Sequence, residues 1–234
     1  MIKRQFIKRF RNLKKDDLHV DLHMHSTWTD GALSLREIAK TAKKMGLTMI
    51  AMTDHVRKNS TYCKDYEEEI GEVSKETGLE ILTGFEAKVV SAKGELDLPP
   101  YCRRGRHLII GSVHSVPMKG KTVHPKDISR DDLQDLELKY SLAIIKGGKA
   151  DILGHAGGMT IGIYGGFSLV YLEKIIRTCG KGDTAFEINS RYHGSIIREI
   201  WELLSRYNPL VSFGSDAHSK SEIGNCIRMA DSLI

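Results

Sequence analysis

The sequence predicts a single-domain α/β fold in which a parallel sheet is covered by helices. Seven short β-like segments alternate with segments of helical periodicity along the 234 residues, and that alternation is typical of a parallel sheet with crossover helices. The length also suits one domain, because α/β barrels of this size usually form a single unit. No internal repeat and no shift in composition marks a linker between two units.

The first predicted strand and helix carry the clearest local patterns. Leu18 to His25 alternates apolar and polar residues with the period of two that a strand requires. Ser34 and Glu37 form a capping box, in which each side chain can satisfy a free amide of the first helical turn. The apolar residues between Ile38 and Met45 then share one helical face, and Gly46 suits the end of that helix.

The remaining elements follow the same alternation. Further strands are predicted over residues 47–53, 79–85, 107–113, 151–154, 184–188 and 209–214. Further helices are predicted over residues 65–77, 131–146, 167–179, 195–207 and about 220–233. The segment over residues 91–106 is irregular because it carries glycines and a Pro-Pro pair. Two Gly-Gly pairs, at residues 157–158 and 165–166, predict a loop that forms either a mobile rim or simple turns.

Positive charge is concentrated at the start of the chain. Seven of the 35 lysines and arginines lie within residues 1–15, where there is no acid, and the rest of the chain has 28 basic against 30 acidic residues. We therefore predict a basic N-terminal arm over residues 1–17 and a near-neutral domain over residues 18–234. A solvated extension or a surface helix is the favoured interpretation of the arm, and contact with nucleic acid or an anionic membrane is the alternative.

Composition excludes several classes of protein. The 41% hydrophobic and 28% charged residues are those of a globular chain, and the longest apolar runs are far shorter than the ~20 residues of a membrane-spanning helix. The four cysteines are widely spaced, which excludes a disulfide framework and a thiolate zinc site. The start of the chain lacks the apolar stretch of a signal peptide. We expect a cytoplasmic protein without a membrane partner.

Every predicted strand ends in a potential metal ligand. Because the carboxyl ends of parallel strands converge at one mouth of a barrel, these side chains are expected to lie together. His23 and His25 are two residues apart on one strand and therefore face the same side. The sixth strand offers Glu187. The nine candidate ligands are His23, His25, Asp30, His55, Glu86, His114, His155, Asp216 and His218.

The chemistry of this set favours two or three divalent cations, with Zn, Mn or Fe the best fit and Co also suitable. Imidazole and carboxylate ligands without thiolate are those that such metals take. Nine ligands are too many for one ion, which takes about four to six. Two or more close cations are the machinery of phosphoester hydrolysis, because they generate hydroxide near neutral pH and hold the phosphoryl oxygens.

Six sequence motifs together resemble those of the PHP (polymerase and histidinol phosphatase) family. The motifs are Asp21-Leu-His-Met-His-Ser26 with Thr29-Asp30-Gly31, Thr53-Asp-His55, Gly84-Phe-Glu86, Ser112-Val-His-Ser115, Gly154-His155 and Ser215-Asp-Ala-His-Ser219. The resemblance covers residues 18–234, and no polymerase domain fits in that length, so it is to a stand-alone PHP metallophosphoesterase. It implies a distorted, TIM-barrel-like (β/α)7 barrel with a trinuclear metal site.

The resemblance also distributes the ligands over three cations. The implied sets are His23, His25, Glu86 and Asp216 for the first; Glu86, His114 and His155 for the second; and Asp30, His55 and His218 for the third. A hydroxide that bridges the metals would attack phosphorus, with Glu86 as the bridging carboxylate. Asp54 is the other candidate catalytic residue, and it would orient an imidazole N–H, act as a general acid or make a structural hydrogen bond.

Three residues near the strand ends are candidates for binding substrate. Arg191 and His193 follow the sixth strand, and Arg57 follows the second. An arginine fork suits a phosphate group. The expected function is therefore that of a phosphomonoesterase, and the expected partner is a small phosphorylated substrate such as histidinol phosphate, a nucleotide or a sugar phosphate.

Three other functions stay open at this point. A phosphodiesterase or exonuclease is encouraged only by the basic arm, so a nucleic-acid partner is not favoured. A metal-dependent C–N hydrolase of the amidohydrolase type shares the His-x-His pattern, but Glu86 as a bridge argues against it. A catalytically silent PHP module would bind without chemistry and is expected to hold less than one metal ion per chain. The substrate, the native metal and the oligomeric state are left open by the sequence.

Overall fold

Seven parallel strands form the centre of the protein, and the computed structural model describes residues 6–118 and 121–231. The strands are β1 Lys8–Arg9, β2 Val20–Asp21, β3 Met49–Met52, β4 His55–Val56, β5 Glu80–Lys88, β6 Leu108–Ser112, β7 Val116–Met118, β8 Lys121–Val123, β9 Ile152–Leu153, β10 Ala185–Asn189 and β11 Leu210–Gly214. The helices are α1 Leu35–Lys44, α2 Cys63–Thr77, α3 Arg130–Gly147, α4 Gly158–Tyr164, α5 Leu169–Cys179, α6 Ile197–Tyr207 and α7 Asn225–Asp231.

One curved sheet carries these strands in the order β1-β11-β10-β9-β6-β5-β3-β2, and β4 adds a short pairing beside β5. Neighbours in this order are parallel, except that β1 is antiparallel to β11. After β2, Leu22 N donates to Phe213 O of β11 at 2.8 Å and His25 N donates to Ala217 O at 3.0 Å, so hydrogen bonds join the two edges. The predicted (β/α)7 barrel is confirmed, with β2, β3, β5, β6, β9, β10 and β11 as its wall.

The wall of the barrel is buried on both sides. Every residue of Met49–Met52 and of Leu108–Ser112 is buried, as is typical of parallel strands covered by helices. The first covering helix, α1, begins at the predicted capping box, where Glu37 N donates to Ser34 Oγ at 3.3 Å and Ser34 N donates to Glu37 Oε2 at 2.9 Å. None of the helices within residues 6–118 and 121–231 has the length and apolarity needed to cross a membrane.

Besides the short strand β4, three parts of the structure lie where the sequence predicted no strand or helix. β1 lies in the basic arm, β7 and β8 form a hairpin, and α4 lies in the segment predicted as a loop between two Gly-Gly pairs. Gly157 precedes α4 and Gly165 follows it, and these two capping glycines have φ angles of 81° and 77°. Glu137 of α3 accepts hydrogen bonds from the amides of Met159 and Thr160 at 3.0 and 2.9 Å. That contact between helices stabilises α4, and a local sequence pattern does not contain it.

Some element boundaries also differ from the prediction. The first strand pairs with β3 at Val20–Asp21, and residues 22–25 make only single hydrogen bonds, with Thr53 on one side and with Phe213 of β11 and the segment that follows it on the other. α6 begins at Ile197 after a short 3-10 turn, and α7 begins at Asn225 instead of near Lys220. The predicted end of the last helix, at residue 233, lies outside the described residues.

The described part of the basic arm packs against the barrel. β1 pairs with β11, and Arg9 Nη1 donates to Gly180 O at 3.0 Å and to Asn208 O at 3.2 Å, just beyond α5 and α6. Arg11 donates to carbonyls in the last turn of α6. These arginines satisfy carbonyl groups that a helix end leaves free, so this part of the arm is not a solvated extension. Residues 1–5 lie outside the described residues, and the domain boundary after residue 17 stays a prediction.

Candidate metal centre

The nine candidate ligands lie together at the carboxyl ends of the barrel strands. Their ligand atoms form four overlapping clusters, and within each cluster all atoms lie within 4.8 Å of one another. The clusters are His25, Asp30, His55 and His218; His23, His25 and Asp216; His23, Glu86 and His155; and His55, Glu86 and His114. The structure therefore brings together the whole predicted set, and the assignment of each ligand to one cation stays a prediction.

Glu86 is shared between two of these clusters. It lies on β5, its side chain is buried, and both of its oxygens face histidines. Oε1 lies 3.0 Å from His114 Nε2 and 2.9 Å from His155 Nε2. Oε2 lies 3.0 Å from His55 Nδ1. A carboxylate in this position can contribute one oxygen to each of two neighbouring cations, which is what a bridging ligand does.

The deepest cluster lies where the first and last strands meet. His25 Nε2 is 3.2 Å from Asp216 Oδ1, and His23 Nε2 is 3.7 Å from the same oxygen. Asp216 has φ 55° and the nearby His155 has φ 23°, a region of backbone space that residues other than glycine rarely enter. Such strain costs about 1–3 kcal/mol per residue and is typical of functional sites, where the direction of a side chain matters.

The outer cluster opens to solvent. Asp30 Oδ2 lies 3.3 Å from His55 Nε2 and 3.5 Å from His218 Nε2, and the Asp30 side chain is 52% exposed. His25 Nδ1 forms the floor of this cluster, 3.7 Å from Asp30 Oδ1. A molecule that enters the mouth from solvent therefore meets this cluster first.

The inner side chains of the centre fit a cation. Four of their buried atoms have no hydrogen-bond partner among the described residues: Nε2 of His23, both ring nitrogens of His25, and Oε2 of Glu86. A buried polar atom without a partner costs about 1–3 kcal/mol, so four of them side by side need a further ligand. Imidazole nitrogens and carboxylate oxygens are the atoms that zinc, manganese and iron bind.

The carboxylates of the centre also shift the pKa values of its histidines. Burial lowers the pKa of His23, but the charges of Glu187 and Glu86 outweigh burial and raise that pKa well above its ordinary value. Burial likewise opposes a charge on His155, yet its hydrogen bond to Glu86 raises its pKa to about 9. Burial raises the pKa of Glu86, but His114 and His23 hold it well below its ordinary range. The buried carboxylates therefore stay ionised and attract positive charge.

A second layer of carboxylates positions the candidate ligands. Glu187 on β10 lies 2.7 Å from His23 Nδ1 and accepts a hydrogen bond from His155 N at 2.6 Å. Asp21 accepts hydrogen bonds from Ser215 N and Gly224 N, both at 2.9 Å, and so fixes the loop that follows β11. A carboxylate behind an imidazole fixes the orientation of the ring. The sequence marked Glu187 as a strand-end carboxylate, but its contact with His23 was not foreseen.

One role that the sequence suggested for Asp54 was to orient an imidazole, but in the structure Asp54 does not contact one. Its carboxylate is buried and accepts hydrogen bonds from Ser26 N at 3.0 Å, Ser26 Oγ at 2.8 Å and Thr29 Oγ1 at 2.6 Å. Neighbouring residues of an extended chain point to opposite sides, so Asp54 turns away from the ring of His55. The geometry favours the structural alternative, in which Asp54 braces the loop that carries Asp30, over the role of a general acid.

Arg191 and Arg57 lie at the mouth. Arg191 is exposed at the rim, and its Nη1 donates to Asp216 O at 3.1 Å and to Glu222 Oε1 at 3.0 Å. Arg57 lines a cavity of about 260 Å³ together with His55 and other candidate ligands. Both guanidinium groups are near enough to the centre for the predicted contact with a phosphate.

His193 turns away from the mouth. It is fully buried, its Nδ1 accepts a hydrogen bond from Asn189 N at 3.2 Å, and its Nε2 donates to Ala156 O at 3.1 Å. Burial lowers the pKa of His193 to about 4, so the ring is neutral. Because both ring nitrogens are engaged by the backbone, the predicted contact between His193 and substrate is wrong. The ring instead joins the segments that follow β9 and β10.

Two further side chains at the mouth were not singled out from the sequence. Lys88 follows Glu86 by two residues on β5, so both face the same side, and Lys88 lines the same cavity as Arg57. Tyr192 lies with its ring centroid 5.3 Å from that of His155 and lines a second cavity of about 450 Å³. The spacing from Glu86 could have identified Lys88, whereas no local pattern points to Tyr192.

Comparison with known proteins places this centre in a family. The family profile described as the PHP domain matches residues 21–191, well over half of the chain. This chain belongs to the PHP domain family. A probable phosphatase of Vibrio parahaemolyticus is 30% identical over 224 residues, which cover 89% of this PHP chain and 81% of the relative. The DNA polymerase/3'-5' exonuclease PolX of Bacillus subtilis is 29% identical over 178 residues, which cover 73% of this chain and 29% of PolX.

A solved structure supports the PHP fold. The histidinol phosphate phosphatase of Lactococcus lactis, determined with zinc, L-histidinol and phosphate, superposes with a TM-score of 0.67 at 17% sequence identity. The match covers 92% of each chain, so the whole barrel and not a fragment of it is shared.

Proposed function

We propose that this PHP protein is a metal-dependent phosphoesterase that hydrolyses small phosphomonoesters. The observation that carries the proposal is the convergence of nine imidazole and carboxylate side chains on one mouth, with four buried atoms that lack a partner among the described residues. A set of this size suits two or three divalent cations, and its ligand types favour zinc, manganese or iron.

The residues that would hold the cations are those the family resemblance implies. His23, His25, Glu86 and Asp216 would hold the first; Glu86, His114 and His155 the second; and Asp30, His55 and His218 the third. When bound, such cations lower the pKa of water and neutralise the charge that develops on the phosphoryl oxygens.

The chain itself orients these groups and attracts the phosphate. Glu187 fixes the His23 ring, so that its Nε2 is directed toward Glu86 and Asp216. Lys88 and Arg57 add two positive charges to the mouth beside Glu86. Cationic side chains beside a metal cluster hold the oxygens of a phosphate dianion by charge-assisted hydrogen bonds.

The relatives support phosphomonoesters over nucleic acid. The Vibrio relative is named a probable phosphatase and matches along most of this chain, whereas the PolX match covers 29% of that polymerase. The structural relative from Lactococcus was solved with L-histidinol and phosphate, which supports a small phosphorylated substrate. Arg9 and Arg11 are engaged at helix ends, and this weakens the case for a nuclease that rested on the basic arm.

We also propose the cytoplasm as the location of the protein. All four cysteines are buried free thiols, which suits a reducing compartment.

The test is phosphate release from a panel of phosphomonoesters, nucleotides and a bis(aryl) phosphodiester. The protein is stripped with a chelator, and Mn, Zn, Fe or Co is added back singly while bound metal is counted by mass spectrometry. Metal-dependent release from a monoester is the expected result. Cleavage of the diester alone would replace the proposal with a phosphodiesterase, and less than one bound ion per chain with no turnover would favour a silent module.

Replacement of one candidate ligand sharpens this test. His114→Ala removes an imidazole that lies 3.0 Å from Glu86, so we expect kcat to fall at least about 100-fold while the fold is retained. His19→Ala is the matched control, because the contacts of His19 are made by its backbone carbonyl away from the mouth. Unchanged turnover in His114→Ala would overturn the role of Glu86 and His114 as shared ligands.

A further inference from the structure

The cleft at the mouth has two halves, which meet at His114 and Ser115. One half is the cavity of about 260 Å³, and the other is the cavity of about 450 Å³. His114 and Ser115 line both cavities, so the two halves are adjacent at these residues. The two halves differ in charge.

The smaller half is ionic. Lys88 and Arg57 line it together with Asp30, His55 and Glu86 of the metal centre. Lys88 Nζ is 3.9 Å from Asp97 Oδ2, a contact that holds the lysine at the wall of the cavity. This half therefore has the charges that a phosphate group and its cations require.

The larger half is neutral. Its described lining residues include no lysine, arginine, aspartate or glutamate. Its apolar lining residues include Val123, Pro125, Met159, Ile163 and Tyr192, and His124 also lines it. Among the described lining residues, an additional negative charge that entered this half would find no lysine or arginine, and removing an unpaired charge from water is costly.

Two glycines of α4 line this neutral half and lie against the Tyr192 ring. Gly158 and Gly162 are four residues apart and lie on one face of the helix. A Cβ at Gly162 would lie 3.5 Å from Tyr192 Cε1, and one at Gly158 would lie 3.3 Å from Tyr192 Cδ2. A side chain larger than a methyl group at Gly162 would extend into the space beside the Tyr192 ring.

We infer that the neutral half binds the organic group of the phosphoester, and that this group is uncharged and about the size of one or two rings. This inference rests on the proposed function and adds the class of alcohol that the enzyme releases. The volume lies within the range of small-molecule sites, and the flat ring of Tyr192 is a suitable surface for a planar group. The phosphate then lies in the ionic half, across His114.

The first test varies the leaving group. Phenyl phosphate, 4-carboxyphenyl phosphate and methyl phosphate are compared as substrates of the metal-loaded enzyme. We expect kcat/KM for phenyl phosphate to exceed that for the carboxylated ester about tenfold or more, because the extra charge is unpaired in the neutral half. A preference for the carboxylated ester would overturn the inference.

The second test fills the neutral half. Gly162→Leu is expected to lower kcat/KM for phenyl phosphate about tenfold and to leave that for methyl phosphate within about twofold, because methyl phosphate leaves the neutral half empty. Gly71→Leu is the matched control, since Gly71 lies within α2 and a Cβ there meets nothing within 4 Å. An equal loss for both esters in Gly162→Leu would contradict the subsite.

A third measurement does not depend on turnover. Saturation-transfer NMR of phenol with the chelator-stripped protein is expected to show binding that Gly162→Leu abolishes and Gly71→Leu preserves. If no ester is hydrolysed with any metal, the proposed function fails, and this measurement still decides on the subsite. Phenol binding that is absent, or that Gly162→Leu leaves unchanged, would overturn it.

Discussion

Some residues of this centre are packed so closely that no additional side-chain atom fits beside them. Gly214 ends β11, and a Cβ at this position would lie 2.1 Å from Glu187 Oε1 and 2.7 Å from His23 Cβ. Because β11 is held on both sides by hydrogen bonds, the Glu187 carboxylate is the group that would have to move. Glu187 would then lose its contact with the ring of His23.

Gly214→Ala is therefore expected to destabilise the fold by about 1–3 kcal/mol and to lower metal affinity about 10- to 100-fold. Thermal unfolding and metal titration measure the two effects. Gly182→Ala is the control, because a Cβ at Gly182 meets nothing within 4 Å. A variant with normal metal affinity would show that the contact between Glu187 and His23 is dispensable.

His193 makes stability depend on pH. Burial lowers its pKa in the folded state to about 4, whereas the unfolded chain has the ordinary value of about 6.5. As pH falls from about 6.5 toward 4, the unfolded state takes up the proton first, so this residue removes stability on the order of 3 kcal/mol. Urea unfolding of the wild type and of His193→Gln across this range isolates the effect. Equal pH dependence in both proteins would contradict it.

The sequence was sufficient to find the ligands because of a simple geometric rule. Strand ends of a parallel barrel meet at one mouth, so the identity of the residue at each end was enough to predict nine side chains. This rule did not predict the roles of Asp54 and His193, because each role depends on the direction in which the side chain turns after its strand has ended. Asp54 turns to Ser26 and Thr29, and His193 turns to the backbone of Ala156.

At the scale of elements, the arm is part of the barrel. Phe10 is buried, and its ring packs edge-on against Trp201 of α6 with centroids 4.7 Å apart. Phe10→Ala is expected to lower the free energy of unfolding by about 3 kcal/mol and to leave turnover of a small phosphomonoester unchanged below the melting transition. Lys15→Ala, at an exposed position of the same arm, is the control. A melting temperature equal to that of the wild type would mean that the arm is accessory.

The elements that the sequence predicted and those it missed differ in what stabilises them. The first barrel strand alternates apolar and polar residues and the other six are short apolar runs between helical patterns, so the local sequence identifies them. β1, the β7–β8 hairpin and α4 have no such local pattern. Charged residues form β1, which pairs with Leu210 and Val211 at the start of β11, and α4 contains glycines and depends on Glu137 of α3. β1 and α4 are therefore stabilised by partners outside their own segments, whereas β7 and β8 pair with each other.

At the scale of the whole molecule, bound cations are expected to stabilise the fold. The unfolded chain does not present the preformed set of ligands, so a metal at 1,000 times its dissociation constant contributes about 4 kcal/mol. For a chain of this length, chelation should lower the melting temperature by about 10 °C, and adding the native metal back should restore it. Glu86→Gln, which weakens the shared carboxylate, is expected to show a much smaller shift. A chelator-independent melting temperature in the wild type would contradict a cation-filled centre.

The pairing of β1 with β11 also has a consequence for how the protein folds during its synthesis on the ribosome. Lys8 pairs with Val211 and Arg9 pairs with Leu210, so the first described strand cannot pair until the last strand of the wall has been synthesised. The same holds for residues 22–25, whose partners lie at residues 213–217. The nascent chain therefore cannot close its barrel before residues 210–217 have been made, and an open sheet edge is exposed until β11 has emerged from the exit tunnel. Ring closure is accordingly a late event in folding, governed by contacts that span almost the entire chain.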